Sequence, residues 1–178
     1  FRMWAMFDGV YSPENMTRCM SNNHSLEKFW RGWHSSFNKF LVRYLYKPLG
    51  GKSNQLYSVW VIFLFVALWH DIEWKLLAWG AMNAFFYALE VSVKKLVATS
   101  GILENMPALL SNALSAMGGA FYIMVLISVN LTGYAVGVGG VTAIVGKITS
   151  AEGMYTALSC FYFLTIGVLI MQFMKRMG

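Results

Sequence analysis

The sequence predicts an all-α, polytopic helical membrane protein, and three observations carry that prediction. The 178 residues are 57% hydrophobic and 12% charged, about half the roughly 25% charge of a soluble domain. Four apolar runs approach or reach the roughly 20 helical residues that cross about 30 Å of hydrocarbon. The Lys and Arg residues between those runs fall mostly on one side of an alternating topology, as the positive-inside rule requires. The net charge of +6 is explained by orientation in a bilayer, and no nucleic-acid partner is expected.

The chain opens on FRMWAMFDG without an initiator Met, and no short apolar segment with a cleavage site stands at its start. It reads as the C-terminal part of something larger. Residues 1–178 are expected to form a single membrane-embedded region, with interfacial or embedded helices over 1–53 and transmembrane helices over 54–178. In SPENMTRC, Ser12 and Pro13 suit the N-cap and first position of a helix. Ser25 then precedes a periodic segment that ends near Tyr46, where Lys47-Pro48 and Gly50-Gly51 stop it. At 100° per residue, Phe29, Trp33, Phe37, Phe40 and Tyr44 share one face of that segment. Lys28, Arg31, Lys39, Arg43 and Lys47 lie roughly opposite, with His34 and Asn38 on the boundary. An aromatic face opposed by a basic one predicts an amphipathic helix in or near the membrane interface.

The apolar runs follow. Segment A is Leu56–Trp69, short for a full span; segment B is Leu76–Val93, interrupted by Asn83 and Glu90; segment C is Ala113–Leu131; segment D is Met154–Met174. TGYAVGVGGVTAIVGKITS, between C and D, has low helix propensity and reads as a loop, a re-entrant piece or a weak helix. If A to D alternate, one side receives Lys47, Lys52, Lys94, Lys95, Lys175 and Arg176, which places it in the cytosol. The other receives Lys75 and Lys147.

Two histidines interrupt this scheme. His70 ends segment A between Trp69 and Asp71, and His34 sits within FWRGWHSSFN. Ionisable groups at membrane depth are costly and mark function, whereas a Trp-His pair at headgroup level would only anchor a helix end. His24, in SNNHS, reads as a solvated loop residue. Glu90 is expected beside Lys94 at i,i+4 spacing, and Gly118-Gly119 to allow close helix packing. Cys19 and Cys160 lack metal-ligand spacing and read as two unbridged thiols, one in a loop and one buried. No GxSxG elbow, P-loop, zinc or dinucleotide-binding motif is present, so no metal or bound cofactor is expected.

ENMTRCMSNNHSLEKFWRGWHSSFNKFLVRYLYKPLGG followed by FVALWHDIEWKLLAWG resembles the membrane-bound O-acyltransferase (MBOAT) family, in its glycerol-uptake and Hedgehog acyltransferase-like branch. The close match covers Phe1 to about Gly80; segments B to D match as hydrophobic helices in the right order. The resemblance implies a many-helix bundle with a tunnel through the membrane, of which this chain supplies the C-terminal part. It places His70 on the family's WH histidine, the expected catalytic base. It places His34 on a second polar position that is His, Asn or Asp in different branches. Trp30, Arg31, Trp33, Asn38, Lys39, Arg43, Trp69 and Asp71 are then expected to bind substrate or donor, with Arg31, Lys39 and Arg43 on the donor's phosphates.

The implied reaction is transfer of a long-chain acyl group from acyl-CoA, a co-substrate, to a hydroxyl acceptor. The acceptor is expected to be a lyso-lipid or glycosylphosphatidylinositol-type glycolipid in the endoplasmic reticulum membrane. A neutral imidazole, with a reference pKa of about 6.5, can take the hydroxyl proton near neutral pH, and burial disfavours its charged form. Two alternatives belong to other classes. A small-polyol transporter needs a polar path, which segments B to D offer few groups to line. A non-catalytic scaffold would have been free to lose His34 and His70.

Overall fold

The computed structural model describes residues 2–16, 19–102 and 105–177. Among them there is no strand, as the apolar runs require: without water to bond to, backbone groups in hydrocarbon must pair within their own helix. Helix α1 spans Arg2–Phe7. Val10–Met16 follows without regular structure, which corrects the helix expected from Ser12-Pro13. Glu14 pairs with Arg2, and Asn15 bonds to residues 34–36, so this stretch bonds outward instead of closing a helical turn. Thr17 and Arg18 lie outside the described residues.

The single helix expected over Ser25–Tyr46 is two helices and a wider turn: α2 (Leu26–Gly32), α3 (Ser35–Leu41) and a π turn at Val42–Tyr46. Ser25 caps α2 as the sequence indicates, its Oγ accepting from the Lys28 N–H at 3.3 Å. The break falls at Trp33 and His34. Turns fill 47–54, where Gly50 (φ +100°) and Gly51 (φ +57°) take conformations open to glycine.

Segment A becomes α4 (Gln55–His70), whose 16 residues rise about 24 Å at about 1.5 Å each, short of the hydrocarbon thickness. Segments B, C and D become α5 (Trp74–Ser100), α6 (Ala108–Leu131) and α8 (Ala151–Met177). These three, with α6 continuing to Val136, are long and apolar enough to cross a membrane. Among the described residues three helices meet that length, and α4, expected to be short for a full span, does not. The Gly/Val-rich stretch is a π turn (Thr132–Val136) followed by α7 (Gly137–Ile148); hydrocarbon favours internal bonding over the low propensity measured in water.

Helices α4 and α5 form a hairpin. A Cβ at Gly80 would lie 2.8 Å from the Phe63 carbonyl oxygen and 2.9 Å from Ala67 Cβ, so glycine sets this approach. Leu26, Leu41, Val66, Ala67, Trp79, Val125 and Val129 form the main core cluster, which joins α2 and α3 to α4, α5 and α6. Helices α6 and α8 run antiparallel, with Gln172 Nε2 bonding Ser115 Oγ at 3.2 Å and Arg176 Nη2 bonding Asn112 Oδ1 at 2.6 Å. A Cβ at Gly119 would meet Val168 at 3.0 Å and His24 at 3.1 Å. Gly119 therefore serves close packing as expected, and His24 is a half-buried packing residue instead of a solvated one. Cys160, expected to be buried, is exposed on α8.

Candidate active site

His34 is placed by a break in the chain. Trp33 leaves α2 in extended geometry (φ −75°, ψ 131°). His34 then turns left-handed (φ +48°, ψ +62°) and begins α3 as its N-cap. It is the non-glycine residue with positive φ among those described. This conformation costs most residues about 1–2 kcal/mol, and His, Asn and Asp are the types enriched there. Those are the three types that the resemblance allows at this position.

Asn15 holds the resulting turn. Its carbonyl oxygen accepts from the Ser35 N–H at 2.7 Å. Its Oδ1 accepts from the Ser36 N–H at 3.0 Å and the Ser36 hydroxyl at 2.9 Å. Its Nδ2 lies 3.0 Å from His34 Nδ1. The first orphan amides of α3 are thus capped from a distant loop.

His70 ends α4, where Asp71 turns extended and its N–H bonds the Ala67 carbonyl at 3.2 Å. His70 is exposed, which corrects the burial expected of the base, and its imidazole lies against three rings, with centroids 5.0 Å to Trp69, 5.8 Å to Trp79 and 5.9 Å to Tyr134, all near-perpendicular. Trp79 is the fixed member: it is buried, and its Nε1–H donates to Asn130 Oδ1 at 3.1 Å. The π turn after α6 brings Tyr134 to it, with centroids 5.6 Å apart. Only glycine fits beneath, since a Cβ at Gly133 would lie 2.7 Å from Trp79 Cγ. The two histidines belong to one aromatic row: His34 to Phe37 (5.7 Å), Phe37 to Trp69 (4.9 Å), Trp69 to His70 (5.0 Å).

Next to this row, α2, α3, α4 and α5 enclose an apolar cavity of about 370 Å³. Trp30, Arg31, Trp33 and Asn38 line it, with Phe37 and Leu41 from α3 and Val59, Ile62, Phe63 and Val66 from α4. Trp30 is packed edge-on by Phe29, Trp33, Phe63 and Trp79. Its Nε1–H is buried without a hydrogen-bond partner among the described residues, at a cost of about 1–3 kcal/mol in an apolar setting. Beside the cavity, Lys39, Arg43 and Lys47 form a basic groove that shares Asn38 and Val42 with it.

The structure therefore gathers Trp30, Arg31, Trp33 and Asn38 at one cavity and Lys39 and Arg43 at the adjoining groove. His34, Trp69 and His70 flank the cavity on the aromatic row and do not line it. Asp71 stands apart and exposed, its Oδ1 accepting from the Ile72 N–H at 2.7 Å. Arg31 already has a partner, Glu27 at 2.9 Å. Glu27 also approaches Lys94 at 3.4 Å, and Lys94 meets Glu90 at 2.7 Å. The Glu90–Lys94 pair is as expected from spacing; the burial of Glu90 and its bond to the Glu27 N–H at 3.0 Å are new.

Sequence reading missed Asn15, Trp79 and Tyr134. An Asn can bond outward from a loop, but the same stretch suits a helix start equally well, so Asn15 was not singled out. Trp79 and Tyr134 gave none, because their roles depend on helix packing.

Comparison with known proteins returns the family model "MBOAT, membrane-bound O-acyltransferase family" over residues 1–136. The chain is 38% identical over 172 residues to the membrane-bound O-acyltransferase gup1 of Schizosaccharomyces pombe, covering 96% of this chain and 29% of that protein. It is 44% identical over 140 residues to the membrane-bound O-acyltransferase GUP1 of Saccharomyces cerevisiae, covering 79% and 24%. The protein-cysteine N-palmitoyltransferase HHAT of Mus musculus is 33% identical over 108 residues, covering 58% and 21%. The chain thus spans less than a third of the length of these relatives.

Proposed function

The chain belongs to the membrane-bound O-acyltransferase family, and from that premise we propose that it carries the acyl-transfer centre of a long-chain acyltransferase. The acyl group passes from acyl-CoA to a hydroxyl on a lyso-lipid or glycosylphosphatidylinositol-type lipid in the endoplasmic reticulum membrane. The observation that carries this reading is the juxtaposition of an apolar cavity, a basic groove and two histidines on one aromatic row. The cavity's volume of about 370 Å³ exceeds the ~150 Å³ that accommodates benzene, which favours a long chain over an acetyl group. Lys39, Arg43 and Lys47 suit the phosphates of the CoA moiety as charge-assisted donors. Arg31, already paired with Glu27, is the weaker candidate for that role.

In the proposed step His70, as a neutral imidazole, takes the acceptor's hydroxyl proton as the oxygen attacks the thioester carbon. Negative charge gathers on the former carbonyl oxygen, where preorganised N–H donors stabilise it. His34 and the Trp30 Nε1–H are the candidates for that role. Collapse restores the carbonyl, breaks the carbon–sulfur bond and releases the CoA thiolate, which recovers the proton from His70. The apolar lining of the neighbouring cavity suits the acyl chain.

The test is turnover by the full-length protein that contains this chain, given palmitoyl-CoA and a panel of lyso-lipids including lysophosphatidylinositol. CoA release coupled to an acylated lipid product is the expected result. Equal turnover with acetyl-CoA alone, or glycerol flux across vesicles without acylation, would overturn the reading.

A further inference from the structure

The network around His34 contains more than a helix cap. The Ser36 backbone N–H can only donate, so the Asn15 side-chain atom facing it at 3.0 Å must be the amide oxygen. The Ser36 hydroxyl, at 2.9 Å from the same oxygen, gives its proton there too. That fixes the amide, and its other end, the NH2, faces His34 Nδ1 at 3.0 Å. An amide NH2 can only donate, so Nδ1 must accept. The Ser36 hydroxyl also lies 3.4 Å from Nδ1, but its one proton is directed to Asn15. A ring whose Nδ1 accepts is neutral and carries its proton on Nε2.

We infer that Asn15 is a positioning residue of the active site, fixing His34 as the Nε2–H tautomer so that this histidine acts as a hydrogen-bond donor and not as a second base. The backbone supports the same assignment. The left-handed turn at His34 and the Asn15 carbonyl bonded to Ser35 at 2.7 Å bring the ring and the amide together. Nε2–H is then the polar edge left for a reacting group, and a donor suits the oxyanion or the acceptor oxygen. One base, His70, and one donor, His34, follow from two different surroundings: three aromatic rings beside an exposed His70 and an amide lock on His34. This division rests on the acyl-transfer reading; the tautomer itself does not.

The discriminating variant is Asn15→Asp. A carboxylate keeps both bonds to Ser36 and suits the start of a helix, so the fold is retained. Its second oxygen, facing Nδ1, can only accept, and Nδ1 must then be protonated. The first readout needs no substrate: nitrogen-15 chemical shifts of the histidine rings in the full-length protein, labelled at His and held in lipid nanodiscs. His34 is assigned by its loss in His34→Asn. The expected result is an unprotonated Nδ1 in the native protein and, in Asn15→Asp, a neutral ring protonated at Nδ1 and bare at Nε2. The second readout is turnover with palmitoyl-CoA and lysophosphatidylinositol. Asn15→Asp should lower kcat about 100-fold, the low end of the cost of losing one oriented donor, with KM for the donor and the unfolding temperature unchanged. A protonated Nδ1 in the native protein, or shifts unaltered by Asn15→Asp, overturns the inference. Native ring shifts as expected with full activity in His34→Ala would instead sink the donor role and leave the tautomer standing.

Discussion

The helix that carries Trp30 and Arg31 is docked by one buried carboxylate, and its removal has a cost that can be worked out. Glu90 on α5 is 1% exposed. Its Oε2 accepts from the Glu27 N–H at 3.0 Å and its Oε1 faces Lys94 Nζ at 2.7 Å. Glu27 lies in the first turn of α2, where amides lack a partner within the helix. Glu90→Ala removes a charge-assisted bond of about 1.5–3 kcal/mol and strands that amide. Lys94 is about half exposed and can turn to water, so its loss of partner adds little. We expect destabilisation of about 3 kcal/mol. Glu90→Gln keeps an acceptor and loses the charge, at about 1 kcal/mol, the gap between charged and neutral hydrogen bonds. Lys94→Met leaves the carboxylate buried with the amide alone, at about 3 kcal/mol, the low end for a broken buried pair. Once Glu90 is neutral, Lys94 keeps only its half-exposed contacts with Glu27 at 3.4 Å and Ser25 Oγ at 3.0 Å. The double variant Glu90→Gln/Lys94→Met should therefore cost about 2 kcal/mol, well below the sum of the single effects. The assay is denaturant unfolding of the full-length protein in mixed micelles, followed by tryptophan fluorescence. Additivity within about 0.5 kcal/mol, the behaviour of independent sites, would refute the reasoning.

Other outcomes follow from single contacts. Gly80→Ala places a Cβ 2.8 Å from the Phe63 carbonyl oxygen, so α4 and α5 must part. The gain in helix propensity of about 1 kcal/mol should be outweighed by overpacking of about 2–3 kcal/mol against backbone, for a net loss of about 1–2 kcal/mol in the same unfolding assay. Gly133→Ala drives a Cβ into Trp79 at 2.7 Å and displaces a ring that packs on His70. The measurement is kcat against donor Kd: kcat should fall and Kd stay constant. Joint replacement of Lys39, Arg43 and Lys47 by Ala should weaken palmitoyl-CoA binding at least tenfold at low salt, with a smaller effect at high salt, where exposed charges are screened. Titration calorimetry at two ionic strengths checks it.

Much of this was legible because membrane helices announce themselves. Segments B, C and D became α5, α6 and α8 with ends extended by up to seven residues, from Val93 to Ser100 in α5, since apolar length is a direct physical requirement. The Ser25 cap and the Gly50-Gly51 turn were equally local. The kink at Trp33-His34 was not, because a helical wheel drawn across the break still separates aromatic from basic residues. Nothing in SPENM distinguished a helix start from a loop that caps another helix; that choice is made by Ser35 and Ser36. The surroundings of His70 depend on Trp79 and Tyr134, which meet it only when α5 and the turn after α6 pack against α4. His70 itself was marked from the start as an ionisable residue at the end of an apolar run.

The central claim is that His70 is the base of an acyl transfer. Its most direct test is single-turnover transfer from palmitoyl-CoA to lysophosphatidylinositol by the full-length protein and its His70→Ala variant, with donor binding measured in parallel. Loss of a general base predicts a rate lower by about 100-fold or more, with donor affinity and unfolding temperature unchanged because the missing group acts in the chemical step. A well-folded His70→Ala protein that binds palmitoyl-CoA and transfers the acyl group at the native rate would contradict the account.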